Sequence, residues 1–389
     1  MIIQTAKRIS TVEEYYFSRK LREIGQLREE GQTIFNLGIG SPDLPPAPAV
    51  IETLRSAAED PGFHAYQSYA GIPALRTAFA NWYQQHFSVL LDATSEVLPL
   101  IGSKEGIMHL SMTFLEKGDE VLIPDPGYPA YAATARLAGA TARTYTLREE
   151  NNWLPDLTSL TQTDLSKVKI MWINYPHMPT GAAAPLSLFE ELVAFALEHQ
   201  ILLVNDNPYS FLLNDTPKSI LSIPGAKVVA LELNSLSKSH NMAGWRIGML
   251  AGRADYLQEV IKFKSNMDSG MFRPIQLAAV KALQLSPEWY QHQNTIYRER
   301  QTLIFKIMDN LNCTYRKDQV GMFVWARIPK EWKDSYELSD DLLKQTGVFV
   351  TPGGIFGEAG KAYIRISLCA KPATIEMALD KIKSFKMNK

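Results

Sequence analysis

The chain has 389 residues, 46% of them hydrophobic, with 40 basic and 41 acidic side chains and a formal net charge of −1. That length exceeds what a single growing core serves, so two domains are expected, and near-neutrality excludes a global attraction to nucleic acid or to an anionic membrane. No apolar run approaches the roughly 20 residues of a membrane span, the first ten residues lack a signal-peptide core, and Cys313 and Cys369 stand singly, without disulfide or metal-ligand spacing. A cytoplasmic protein with no metal site is expected.

In chain order, Val12 to Glu30 is a charged, amphipathic segment, and Ile34 to Asp43 carries the glycines and prolines of a tight turn, together an arm and a loop. From about Pro48 to Ser286, short aliphatic runs alternate with amphipathic helices, which predicts an α/β domain with a mostly parallel sheet. Seven runs read as its strands: Val97–Ile101, Glu120–Ile123, Ala142–Leu147, Val168–Asn174, Ile201–Asn205, Val228–Leu233 and Ile247–Ala251. Leu186 to His199 reads as a helix, with Leu188, Leu192, Phe195 and Ala196 on one face. From Pro287 a long polar helix leads into Gly321–Ala326 and Tyr363–Ser367, strands of a smaller α+β unit.

Ligands of open α/β sheets bind beyond the carboxyl ends of the strands, so chemistry is sought just after each one. Gly102-Ser103-Lys104-Glu105-Gly106 follows the first strand and opens a helix whose Ile107, Leu110 and Phe114 share a face. Free N–H groups there suit a phosphate, although the same residues make an ordinary strand-to-helix turn, and Walker A spacing is absent. After Ile201–Asn205, Asp206 has the chemistry to keep a pyridine ring nitrogen protonated and Tyr209 to hydrogen-bond its hydroxyl oxygen; a capping aspartate and a packed tyrosine read equally well. After Val228–Leu233 come Ser235, Ser237 and Lys238, then Arg246. A lysine amine carries an aldehyde as a Schiff base, and a guanidinium grips a phosphate with two hydrogen bonds. Taken together, the four strand ends point to pyridoxal 5′-phosphate (PLP).

With these motifs the chain resembles the class I/II aminotransferases of PLP fold type I, almost end to end from Gly38-Ile39-Gly40-Ser41-Pro42-Asp43 to Arg365. The resemblance implies Lys238 as the Schiff-base lysine, Asp206 and Tyr209 as partners of the cofactor ring, and Ser103, Lys104, Ser235 and Arg246 as phosphate binders. It implies Tyr128 as the aromatic residue stacked on the ring, with Arg365 and Gly40 holding the substrate α-carboxylate. Tyr66 resembles a tyrosine that reaches the phosphate of a neighbouring subunit, which implies a homodimer, and the loop Ser265 to Phe272 is expected at the same interface. The implied domains are an arm with part of the small domain over 1–47, a large PLP-binding domain over 48–286 and a C-terminal small domain over 287–389. The implied reaction moves the amino group of an L-amino acid of the aspartate, alanine or LL-diaminopimelate class to a 2-oxo acid by ping-pong kinetics, with a β-lyase of the same fold as the alternative.

One position departs from the family pattern. Where Asn-Pro-Thr-Gly is usual, the chain reads Met178-Pro179-Thr180-Gly181, and a thioether cannot donate a hydrogen bond. Tyr209 alone, a water or His177 is then left to serve the ring oxygen. A PLP-binding transcription regulator is not expected, because the arm before Gly38 is too short for a helix-turn-helix module and the charge is near neutral. A dinucleotide dehydrogenase is disfavoured because Gly38-Ile39-Gly40 does not complete Gly-x-Gly-x-x-Gly.

Overall fold

The computed structural model describes residues 2–385. Its main sheet is built from the strands Val97–Leu100, Glu120–Asp125, Thr141–Thr146, Val168–Ile173, Leu202–Asp206, Ala230–Ser235 and Gly248–Gly252. In spatial order they begin at residues 97, 248, 230, 202, 168, 120 and 141. Gly248–Gly252 runs antiparallel to both of its neighbours, and the remaining pairs are parallel. All seven expected strands are therefore present, with ends displaced by one or two residues. The late start at Ala230 follows the 3-10 turn Ala226–Val228.

Both faces of this sheet are covered, as parallel strands rich in aliphatic residues require. On one face Leu98, Leu100, Val204, Leu231 and Leu233 meet Ile107 and Leu110 of the helix Ser103–Phe114 and Tyr131 of the helix Pro129–Ala138. On the other, Met171, Ile173 and Leu203 join Leu188, Leu192 and Phe195 of the helix Leu186–His199, the face its sequence period indicated.

The C-terminal part holds a second, antiparallel sheet of Thr314–Tyr315, Phe323–Arg327, Thr351–Pro352 and Tyr363–Ser367, backed by the helices Pro287–Asn310 and Ser335–Thr346. The amphipathic arm is a helix over Tyr16–Glu29, and Phe35–Asn36 pairs in parallel with Val348–Phe349. Ile24 and Ile34 pack with Leu343 and Phe349 in a small core of their own. Cys313 is buried and Cys369 half-buried, both as free thiols. Among the described residues no helix is long and apolar enough to cross a membrane.

The loop after the arm is fastened to the Pro287–Asn310 helix by one ion pair. Arg300, 2% exposed, donates to both carboxylate oxygens of Asp43 at 2.6 and 3.0 Å and to the Leu368 carbonyl at 2.9 Å. Removing the carboxylate strands a buried guanidinium, so Asp43→Ala should lower stability by about 2 kcal/mol or more. The denaturant midpoint, compared with that of the parent chain, checks this.

Candidate active site

A cavity of about 720 Å³ opens where the strands Leu202–Asp206 and Ala230–Ser235 end. Gly40, Ser103, Lys104, Tyr128, Asp206, Tyr209, Ser235, Lys238, Arg246 and Arg365 all line it. Tyr66 lies outside it and is 90% exposed.

One wall is a cradle for an anion. Gly102 sits at φ +86°, directly before the helix Ser103–Phe114, and a Cβ there would collide with the Arg246 guanidinium. The absent side chain lets that guanidinium approach the helix start, where unpaired N–H groups and the helix dipole favour negative charge. Ser235 caps the short turn that carries the lysine, its hydroxyl accepting from Ser237 N at 3.1 Å, and Arg246 reaches the Ser237 hydroxyl at 3.4 Å.

Lys238 stands beside the cradle with its ammonium 2.6 Å from the Gly40 carbonyl. Burial pulls its pKa down to about 8, with the neighbouring Arg365 and Arg246 charges acting in the same direction. Asp206 accepts from the Tyr131 hydroxyl on Oδ2 at 2.9 Å, while its buried Oδ1 has no partner. Burial raises its pKa to about 6, against the lowering effect of the Tyr131 bond. A carboxylate oxygen buried without a donor fits a protonated ring nitrogen, and the cradle fits a phosphate dianion. The donor set therefore suits PLP on its own geometry. Tyr131 is the residue the sequence reading missed here: its ring stacks on Trp172 at 4.9 Å and aims its hydroxyl at Asp206. Its signal was the spacing of three from Tyr128, which sets both tyrosines at the start of one helix.

Arg365 occupies the far wall, on the strand Tyr363–Ser367. It donates to the Gly38 carbonyl at 2.9 Å and lies 3.9 Å from the Phe323 ring centroid and 4.7 Å from that of Phe356. Burial lowers its pKa to about 10, which still leaves it charged at neutral pH. Its Nη1 meets the Met178 sulfur at 3.2 Å. The thioether that replaced a donor thus acts as an acceptor and holds the guanidinium in place. His177 does not take over the lost donation: it lies outside the cavity lining, buried, with its Nδ1 2.8 Å from the Thr180 hydroxyl. Asn174 is likewise occupied, bonding the Met178 N–H and the Asp206 carbonyl.

The arm closes the mouth. Tyr15, Phe17, Ser18 and Leu21 line the cavity, and the Lys104 ammonium lies 4.8 Å from the Tyr15 ring centroid. On the outside, the loop bearing Tyr66 is tied to the Ser265–Phe272 loop: the buried Lys264 ammonium donates to the Tyr69 carbonyl at 2.9 Å and pairs with Asp268 at 2.8 Å. Glu105 and His109 stand beside Asp268, so a lysine ammonium already balances this cluster of ligand-type side chains.

The sequence model of aminotransferase class I and II matches residues 32–382. An LL-diaminopimelate aminotransferase of Dehalococcoides mccartyi is 42% identical, over 99% of both chains. Among solved structures, substrate-bound BacF from Bacillus subtilis superposes with a TM-score of 0.94 at 35% identity, over 98% of this chain and 97% of that one. A single mutant of Thermus thermophilus aspartate aminotransferase shares the fold, with a TM-score of 0.92 at 24% identity over 99% of this chain and all of the other.

A lysine must be neutral to attack a carbonyl, so the depressed pKa makes a specific demand on pH. Condensation of an aldehyde with Lys238 should accelerate up to about pH 8 and then level off, whereas an exposed lysine would still be gaining at about pH 10. Stopped-flow absorbance across that range checks the profile.

Proposed function

We infer that this chain, which belongs to the class I and II aminotransferases, performs its amino transfer in the cavity around Lys238, with the residues lining it in the roles that follow. The enzyme is a PLP-dependent transaminase that passes the amino group of an L-amino acid to a 2-oxo acid. The observation that carries the site assignment is the unpartnered, buried Asp206 Oδ1 in the same cavity as a desolvated lysine and an arginine-lined helix start.

Bound there, PLP supplies a carbonyl that receives the amino group and a protonated ring that accepts the electrons of the broken Cα–H bond. The chain's own groups do the rest. Arg246, Ser235 and the backbone N–H groups of Ser103 and Lys104 hold the phosphate. Asp206, oriented by Tyr131, keeps the ring nitrogen protonated, and Tyr209 donates to the ring oxygen. Tyr128 covers one ring face. Arg365, with Gly40 beside it, anchors the substrate α-carboxylate and so turns the Cα–H toward Lys238. Lys238 would take that proton on Nζ and deliver it to the former carbonyl carbon of the cofactor; with a pKa of about 8, roughly a tenth of its population is neutral at pH 7 in the cofactor-free protein. Phe17, Phe323 and Phe356 exclude water from this transfer.

The reading extends to the assembly and the chain's divisions. Tyr66, Tyr69, Met267 and Phe272 are exposed on two loops tied together by Lys264, which supports a homodimer in which Tyr66 reaches the partner's phosphate. A cytoplasmic location and a boundary near residues 47 and 287 belong to the same proposal. For the amino donor, the name of the D. mccartyi relative points to LL-diaminopimelate, and Lys104 offers a cation for a distal carboxylate. A second donor class, L-amino acids with apolar side chains, is favoured by the apolar wall of Phe17, Leu21, Ile39 and Phe356.

Holoenzyme given one amino donor and no acceptor should accumulate the pyridoxamine form of the cofactor, followed by absorbance, and Lys238→Ala should abolish the change. Release of pyruvate and ammonia instead would overturn the transaminase assignment. Half-reaction rates with LL-diaminopimelate against an aromatic amino acid decide the donor class. Mixing Lys238→Ala chains with Tyr66→Ala chains should recover activity that neither variant has alone, because one site of each mixed dimer is then intact; no recovery would remove the shared site.

A further inference from the structure

Glu232 lies in the strand Ala230–Ser235, three residues before Ser235, fully buried and outside the cavity lining. Its oxygens face donors. The Tyr83 hydroxyl donates to Oε1 at 2.9 Å, and the Asn205 side-chain amide and the Ile220 N–H donate to Oε2 at 2.9 and 3.1 Å. A set of this kind suits an ionised carboxylate, which only accepts. None of these partners carries a positive charge, so the carboxylate is held by neutral dipoles in a dry interior. An apolar side chain would fill the space without that desolvation cost.

The partners of Glu232 adjoin the cavity residues. Asn205, directly across from Glu232 in the register of the two strands, precedes Asp206. The Asn205 side-chain Oδ1 accepts from the Tyr175 N–H at 3.2 Å, and Tyr175 follows Asn174. The Tyr83 hydroxyl accepts from the Asn234 amide at 3.3 Å, and Asn234 precedes Ser235. One carboxylate thereby joins the ends of three parallel strands, each beside a residue that lines the cavity: Asp206, Asn174 and Ser235.

We propose that Glu232 is a positioning residue for the cofactor: through Asn205, Tyr175, Tyr83 and Asn234 it sets where Asp206, Asn174 and Ser235 stand toward the bound PLP. The proposal rests on the cofactor assignment above and adds a residue that touches neither cofactor nor substrate.

Glu232→Gln tests it, because the amide keeps the shape and turns an N–H₂ against groups that are themselves donors. Three quantities are read on the folded protein: the PLP dissociation constant by titration of the cofactor-free chain, the pH midpoint of the visible band of the lysine-linked cofactor, and the melting temperature without cofactor. The expected result is PLP affinity weakened roughly tenfold together with a displaced midpoint, and Tyr83→Phe should move both in the same direction by less. A lower melting temperature with wild-type affinity and an unmoved midpoint would reduce Glu232 to a stability element and overturn the proposal. If Glu232→Gln does not fold, Tyr83→Phe decides alone: weakened affinity with a displaced midpoint upholds the proposal, and unchanged values overturn it. Failure of the parent chain itself to bind PLP would instead strike at the cofactor assignment.

Discussion

Among the described residues, four cationic side chains, Lys104, Lys238, Arg246 and Arg365, line one cavity with a single carboxylate, Asp206. Like charges in a desolvated space raise one another's cost: burial depresses the pKa values of both Lys238 and Arg365, and at Lys238 the Arg365 and Arg246 charges add to it. The cavity is therefore rich in positive charge, which suits the anions of the proposed reading, a phosphate at the helix start and a substrate carboxylate on the far wall. The surrounding packing serves this constraint. Aromatic faces rather than carboxylates surround Arg365, so its charge is left available to a ligand, and the Met178 sulfur is too weak an acceptor to neutralise it.

Much of this was legible in the sequence because the chemistry follows strand ends. Asp206, Ser235 and Lys238 each sit within a few residues of a β-strand that announces itself by an aliphatic run, and Gly102 marks the start of an amphipathic helix. What stayed hidden is instructive in two ways. Tyr15 and Phe17 reach the cavity from an arm whose following strand, Phe35–Asn36, pairs with Val348–Phe349, a contact that no local pattern encodes. Glu232 was concealed by its own surroundings: Leu231-Glu232-Leu233-Asn234 alternates like a strand with one face in water, yet all four residues are buried. Position 178 was visible as a lost donor, while its gain as an acceptor for Arg365 needed three dimensions.

Two polar assemblies flank the cavity without entering it, and they differ in kind. Lys264 and Asp268 form a charged pair that binds two surface loops to each other, a contact whose strength comes from opposite charges held away from water. Glu232 and its donors form a network of one charge and several dipoles that binds strands to each other. The first holds elements that face outward and the second the strand ends that border the cavity.

The pairing of Phe35–Asn36 with Val348–Phe349 also bears on the order of events during synthesis. Gly38, whose carbonyl receives Arg365, leaves the ribosome 327 residues before its partner exists. The arm must therefore remain undocked while the main sheet is made and folded, with its apolar residues Ile24 and Ile34 exposed until Leu343 and Phe349 arrive. The wall that carries Arg365 is for that reason the last part of the pocket to form, after the strand ends that carry Asp206 and Lys238.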